Sequence, residues 1–266
     1  MLGAIIGDIV GSRFERNNKK TKDFELFTDR CHFTDDTVMT IAIAEAVLKS
    51  DSKTDDLGKN AVLSMQKYGR RYPYAGYGGS FIRWIHSSNP QPYNSWGNGS
   101  AMRVSACGFA ADSLKEALEM AKKVTEVTHN HPEGIKGAEA VSAAIYLARA
   151  GKNILEIKDY INSHYYKIDF KLDDIREEYS FDVSCQGSVP QALAAFFESV
   201  DFEDAIRNAI SIGGDSDTIG AITGSIAEAY YGIPAEIRKT ALKYLLYDLQ
   251  DVLSEFEGRY PAKTIE

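Results

Sequence analysis

Two short acidic sequences each run straight into a long apolar stretch, and this pairing constrains the chain more than any other feature. Thr34-Asp35-Asp36-Thr37 precedes VMTIAIAEAVL. Asp215-Ser216-Asp217-Thr218, introduced by Gly213-Gly214, precedes IGAITGSIAEAYYG. In the first stretch Ile41, Ala44, Val47 and Leu48 share one helical face. The carboxylates therefore fall in the first turn of helices that read as buried. A helix cap accounts for one or two of these oxygens, because Thr, Asp and Ser satisfy orphan N–H groups at about 1 kcal/mol each and the helix dipole favours acids there. Adjacent carboxylates repel, however, and burying them unpaired is costly. Two such clusters point to a shared cation, and oxygen-only ligation by Asp and Thr suits Mg²⁺ or Mn²⁺. No Cys/His spacing of the zinc type is present. The clusters lie about 180 residues apart, so the reading requires a fold that brings both helix starts to one place.

The rest of the chain also reads as helical. Leu57, Ala61, Met65 and Tyr68 mark one helix, and segments 114–127, 134–150, 188–199, 201–211, 217–231 and 235–256 mark others. Alanine-rich runs such as EAVSAAIYLARA and VPQALAAFF favour helices and their close approach. Strand patterns are scarce. The stretch 164–182 has some alternation, which is compatible with a short hairpin, and is expected to be an irregular insertion with one short helix. Gly and Pro punctuate the boundaries, and no repeat or long linker divides the chain. One all-α domain over residues 1–266 is the expectation.

Charge narrows the function. The 266 residues carry 30 Lys+Arg against 38 Asp+Glu, a net charge of −8, which argues against general nucleic-acid affinity. An anionic ligand held by backbone donors and metal is compatible with it. The apolar start MLGAIIGDIVG lacks a basic flank and is interrupted by Asp8, so it is expected to be a core helix and not a leader. No apolar run approaches the roughly 20 residues of a membrane span. The three cysteines are widely separated and without a CxxC, which suits a reducing, cytoplasmic setting. A monomer is the simplest expectation.

Three further elements carry chemistry. Gly7-Asp8-Ile9-Val10-Gly11-Ser12-Arg13-Phe14-Glu15 ends the first apolar helix with another acid, which taken alone is a solvated loop charge. Tyr93-Asn94-Ser95-Trp96-Gly97-Asn98-Gly99-Ser100 has the small residues that let backbone N–H groups face an anion at a helix start, and Trp96 can stack on a sugar or base. Gly76-Tyr77-Gly78-Gly79-Ser80 is a second such loop. Both serve equally as ordinary turns, and neither ends in the GK[ST] of a P-loop. His129, in Thr128-His129-Asn130-His131-Pro132, is either a dipole-favoured histidine at a helix end or a donor to a phosphate or sugar.

Taken in order, these elements resemble the ADP-ribosylglycohydrolase family, which includes the dinitrogenase-reductase-activating glycohydrolase and the ADP-ribosyl-arginine and ADP-ribosyl-serine hydrolases. The matching stretches are GAIIGDIVGSRFE, FTDDT, GYGGSF, SWGNGSAMRV, VTHNHPEG, CQGSVPQALAAF and GGDSDTIGAITGSIAEAYYG, from residue 3 to about 232. FTDDT followed by GGDSDT is the most specific of these.

The resemblance implies a compact orthogonal helical bundle with a binuclear Mg²⁺ or Mn²⁺ centre in a cleft. Family metal ligands fall on Thr34, Asp35, Asp36, Asp215, Asp217 and Thr218. The ADP-ribose loop falls on Ser95, Trp96, Gly97 and Asn98, a second loop near the ligand on Gly78 and Gly79, and the phosphate-contacting histidine on His129. Trp96 stands where tyrosine is often found, and His131 has no firm counterpart. Glu15 and Asp36 are the catalytic candidates, with Glu15 either a proton donor to the leaving group, a base for water or a further metal ligand.

The implied reaction is cleavage at ribose C1″, releasing ADP-ribose from an ADP-ribosylated protein or another ADP-ribosyl conjugate. Arginine, serine, polymer and nucleic-acid-end leaving groups all occur as alternatives. The Gly-Ser-Arg-Phe-Glu context is closer to the serine- and polymer-cleaving branch. Two rival readings differ in class. A helical Mg²⁺-dependent diphosphate-processing enzyme would carry DDxxD, whereas Thr37, Val38 and Met39 follow Asp35-Asp36 here. A non-catalytic ADP-ribose-binding module is disfavoured by the full metal set together with Glu15.

Overall fold

The computed structural model of the protein describes residues 1–50, 54–262 and 264–265. The apolar, alanine-rich segments fold as helices: α1 (Leu2–Gly11), α2 (Asp35–Lys49), α3 (Leu57–Arg71), α4 (Gly79–His86), α5 (Ser105–Ala110), α6 (Leu114–Glu126) and α7 (Pro132–Arg149). They continue as α8 (Ile154–His164), α9 (Leu172–Ile175), α10 (Cys185–Phe197), α11 (Phe202–Ser211), α12 (Ser216–Tyr231), α13 (Ala235–Ala241) and α14 (Tyr247–Arg259). Among the described residues the only strands are a two-residue parallel pair, β1 (Ile233–Pro234) with β2 (Thr264–Ile265). The fold is all-α, as the sequence predicts.

The bundle is organised around α12, which is buried from Ser216 to Ala229 and packs against α1, α7, α10 and α11. α1 is buried along its whole length. These two helices meet backbone to backbone, because Gly3, Gly7 and Gly11 recur every four residues on α1 and face Gly224, Gly220 and the Ser216–Asp217 backbone of α12 in turn. A Cβ added at Gly7 would lie 1.9 Å from the Gly220 carbonyl oxygen, and one at Gly3 would lie 2.1 Å from that of Gly224. The Glu228 carboxylate of α12 closes the other end of the contact by accepting from the Gly3 N–H and the Met1 amino group, both at 2.7 Å. α2 packs against α1 and completes the frame of the site.

Two segments depart from the sequence reading. The predicted 235–256 helix is broken into α13, a 3-10 turn at Leu242–Tyr244, and α14, with Leu245 extended between them. Gln250 secures the break by donating to the carbonyls of Leu242 and Leu245. α8 is an additional helix. It buries only Ile157 and Ile161, too few apolar positions to set a strong period, and its start is fixed instead by the reciprocal capping of Asn153 and Glu156. The insertion at 164–182 holds the single short helix α9.

Candidate active site

The two acidic helix starts, far apart along the chain, meet at one cleft of about 680 Å³. The glycine-faced contact causes this. Gly11 lies against Asp217, where an added Cβ would be 2.5 Å from the Asp217 Cα, so the end of α1 delivers the Ser12–Glu15 segment to the start of α12. α2 enters from the side, its Asp35 N–H bonded to the Ala75 carbonyl at 2.8 Å.

Carboxylate oxygens of Asp8, Asp36 and Asp217 lie within 4.8 Å of one another, and so do those of Glu15, Asp215 and Asp217. Thr218 Oγ1 donates to Asp36 Oδ2 at 3.2 Å, a direct link between the two helix starts. Asp36 Oδ1 is buried without any partner. Burial and the neighbouring acids push the carboxyls of Asp36 and Asp217 well above the usual range, and the same causes lift Asp35 to about 8. Burial also raises Asp215, against the donors around it. A set of buried, mutually repelling oxygens with one oxygen unpartnered fits a hard divalent cation. The positive ends of the helices would oppose a cation, and the carboxylates overcome that opposition. The six predicted ligands, Thr34, Asp35, Asp36, Asp215, Asp217 and Thr218, all border the cleft; Asp36, Asp215 and Asp217 belong to the two close carboxylate groups, whereas Asp35 lies outside both.

Asp8 takes part in this arrangement in a different way, which the sequence reading missed. It is fully buried and accepts four hydrogen bonds: Thr34 N at 2.9 Å, Thr34 Oγ1 at 2.7 Å, Thr37 N at 3.0 Å and Thr37 Oγ1 at 2.5 Å. Burial pushes its carboxyl up while these bonds pull it down. Asp8 thus pins the first turn of α2 to α1. The spacing of four between Gly3, Gly7 and Gly11 was the available signal, since it makes α1 a close-packed helix whose one acid must be buried. Asn18 is a second unpredicted residue. Its amide donates to the carbonyls of Phe14, Glu15 and Gly214 and accepts from Gly214 N at 2.8 Å, tying the Glu15 segment to the Gly213-Gly214 turn. Both glycines have positive φ, 71° and 75°, which they adopt without steric cost.

The predicted ligand loops border the same cleft. Gly78, Gly79, Ser95, Gly97, Asn98 and His129 all border the cleft, as does Glu15. Asn98 is held by its N–H to the Val183 carbonyl and spans from Ser188 Oγ to Asp215 Oδ2, the latter at 2.7 Å. Glu15 is half-buried, and burial followed by the charge of Asp215 raises its carboxyl. Burial and the nearby Arg103 hold His129 well below the usual histidine range. Trp96 lies outside the cleft lining. It is 51% exposed and meets His131 edge-on at 5.5 Å. His131 caps α7 by accepting from Glu133 N.

An all-α frame thus carries an oxygen-rich, cation-fitting cluster beside a glycine loop suited to anions, in one cleft. A family model described as ADP-ribosylglycohydrolase matches residues 1–263. The chain belongs to the ADP-ribosylglycohydrolase family and is an ADP-ribosyl hydrolase. It is 24% identical over 310 residues to the ADP-ribosylhydrolase ARH3 of Mus musculus, covering 88% of this chain and 83% of that protein. It is 26% identical over 269 residues to the ADP-ribosylarginine hydrolase Tri1 of Pseudomonas putida, covering 88% and 70%. A solved structure described as an ADP-ribosylglycohydrolase-related protein complex shares the fold, with a TM-score of 0.71 over 97% of this chain and 95% of that one at 23% identity. Among the described residues no helix is long and apolar enough to cross a membrane.

Proposed function

We propose that this chain hydrolyses the glycosidic bond at ribose C1″ and releases ADP-ribose from ADP-ribosylated side chains, arginine or serine, or from a related conjugate, with two divalent cations, Mg²⁺ or Mn²⁺. The observation that carries the reading is the meeting of both acidic helix starts at one cleft with Asp36 Oδ1 buried and unpartnered. Thr34, Asp35, Asp36, Asp215, Asp217 and Thr218 would hold the ions. When bound, the ions supply Lewis acidity toward the ribose hydroxyls and the attacking water.

The chain's own groups then have distinct tasks. Cleavage at C1″ develops oxocarbenium character, which the surrounding carboxylates favour. Glu15, half-buried at the cleft beside Asp215, is placed to deliver a proton to the leaving atom. Its carboxylate can then accept a proton from the incoming water. In the segment 94–99 the N–H groups of Asn94, Gly97 and Asn98 are engaged by Asn130, Ser95 and Val183, so the backbone donors for the pyrophosphate would be Ser95, Trp96 and Gly99, and His129 faces the same loop. This arrangement suits an acidic protein that binds an anion with few Lys or Arg. Gly78 has open space where a Cβ would stand, which leaves its backbone accessible from the cleft.

The test is ADP-ribose release from arginine-, serine- and polymer-linked substrates with Mg²⁺ or Mn²⁺ and after chelation. Release that depends on the ions and favours one linkage is the expected result. Binding of ADP-ribose with no release at any ion concentration, or turnover only of a prenyl diphosphate, overturns the reading.

A further inference from the structure

A buried cation stands behind the glycine loop and has no part in the chemistry above. Arg103 lines the deep end of the cleft yet is only 1% exposed. Among the described residues no carboxylate pairs with it, and its Nε has no hydrogen-bond partner. Burial lowers it to about 10, so it remains a cation at neutral pH. A charge held this way is costly unless something compensates it. Nη2 donates to Thr128 Oγ1 at 2.7 Å and to the Val124 carbonyl at 3.3 Å.

Thr128 Oγ1 lies 2.7 Å from His129 Nδ1 and 3.3 Å from the Thr125 carbonyl. The hydroxyl has one proton to give. Accepting from a guanidinium makes the oxygen a poorer acceptor and its O–H a better donor. The shorter of the two contacts, to Nδ1, then takes the proton. Nδ1 is left as the acceptor, and the ring proton resides on Nε2. Nε2 points at the loop, since Cβ atoms built on Gly97 and Gly99 would come within 3.5 and 3.3 Å of it. Glycine at both positions leaves the room that this approach requires.

We infer that Arg103 is a positioning residue for ligand binding: through Thr128 it fixes His129 as the Nε2–H tautomer, a neutral donor aimed at the phosphate groups seated on the 97–99 loop. The seating of a pyrophosphate there rests on the function proposed above. The charge of Arg103, which faces the Phe81 ring at 5.8 Å but no carboxylate among the described residues, adds a fixed attraction for the same anion.

The test is long-range ¹H–¹⁵N spectroscopy of the His129 ring without ligand, together with calorimetric titration of ADP-ribose. In the wild type, Nε2 carries the proton and Nδ1 is bare. Thr128→Val removes the relay at nearly constant volume. It should give mixed tautomers and weaken ADP-ribose binding about tenfold, as expected for one lost hydrogen bond to a charged group. Thr128→Ser keeps the hydroxyl and should restore both readouts. Arg103→Met should reproduce the Thr128→Val result, and if it fails to fold, the two Thr128 variants decide the matter. A wild-type proton on Nδ1 overturns the inference, and so does a Thr128→Val protein with unchanged spectrum or unchanged affinity. The spectrum needs neither substrate nor turnover, so an inactive enzyme overturns the proposed reaction without touching the tautomer result.

Discussion

The starts of α2 and α12 carry similar acid-and-hydroxyl sequences but are built differently. At α2, Thr34 caps the helix by accepting from Asp36 N, and Asp8 gathers Thr34 and Thr37 from below. At α12, Asp215 makes no side-chain cap, and the turn before it is formed by two positive-φ glycines and Asn18. The first start is held by a buried acid with every donor it needs. The second is held by a loop, and its acids face one another. Similar sequences thus divide the labour: Asp8 holds structure, while Asp36 keeps one buried oxygen without a partner and Asp217 crowds against Asp36 and Asp215, ready for a ligand that supplies charge.

The largest effects should come from Asp36 and Asp217. Asp36→Ala and Asp217→Ala should each reduce ADP-ribose release to background and weaken Mn²⁺ binding measured by calorimetry. Turnover within a few-fold of wild type in either variant would break the comparison. Glu15→Gln should lower kcat by about 10²–10⁴-fold, the usual contribution of a positioned proton donor, while ADP-ribose affinity stays close to wild type.

Stability separates Asp8 from Asp36 most sharply. Asp8→Asn places amide hydrogens among four donors and should cost about 3 kcal/mol in urea unfolding. Asp36→Asn, made in chelator-treated protein, should instead stabilise by about 1–2 kcal/mol, because it removes a carboxyl whose ionisation burial and the neighbouring acids oppose. The same sign for both variants would refute the division of labour.

The pH dependence follows from Asp35, whose carboxyl moves from 3.8 to about 8 on folding. Its contribution to the stability of chelated protein is complete below pH 3.8 and is lost as pH rises through 8. A divalent ion needs the carboxylate, so ion binding should release a proton at pH 6–7 and tighten as pH approaches 8. Calorimetry in buffers of different ionisation enthalpy reads that proton. The smallest effect is expected at the loop-built start: Asn18→Ala should cost about 1 kcal/mol and show a modest fall in melting temperature.

Much of this was legible in the sequence because it is local. An acidic run ahead of an apolar period marks a buried helix start wherever it occurs, and glycine loops at 76–80 and 93–100 mark backbone that can approach a ligand. Asp8 was not legible in the same way, because its partners Thr34 and Thr37 are a helix away and only three-dimensional packing brings them to it. Arg103 reads as an ordinary charge in SAMRV, and its burial is a tertiary fact. The break at Leu245 was hidden because the apolar period continues through it, while Gln250 satisfies the freed carbonyls. Trp96 shows the converse: an aromatic in a promising loop whose ring meets His131 edge-on and is half exposed.

The glycine seam between α1 and α12 has a consequence for how this enzyme could be altered. Where main chains touch, no side chain is available to act as a shim, so the gap between the ends of the two helices is fixed as though machined. Retuning the enzyme toward a different acceptor is better attempted at loop residues that border the cleft, such as Arg16, Asn17, Phe181 and Val183, while a single methyl group introduced at Gly7 should be enough to pull the frame itself out of true.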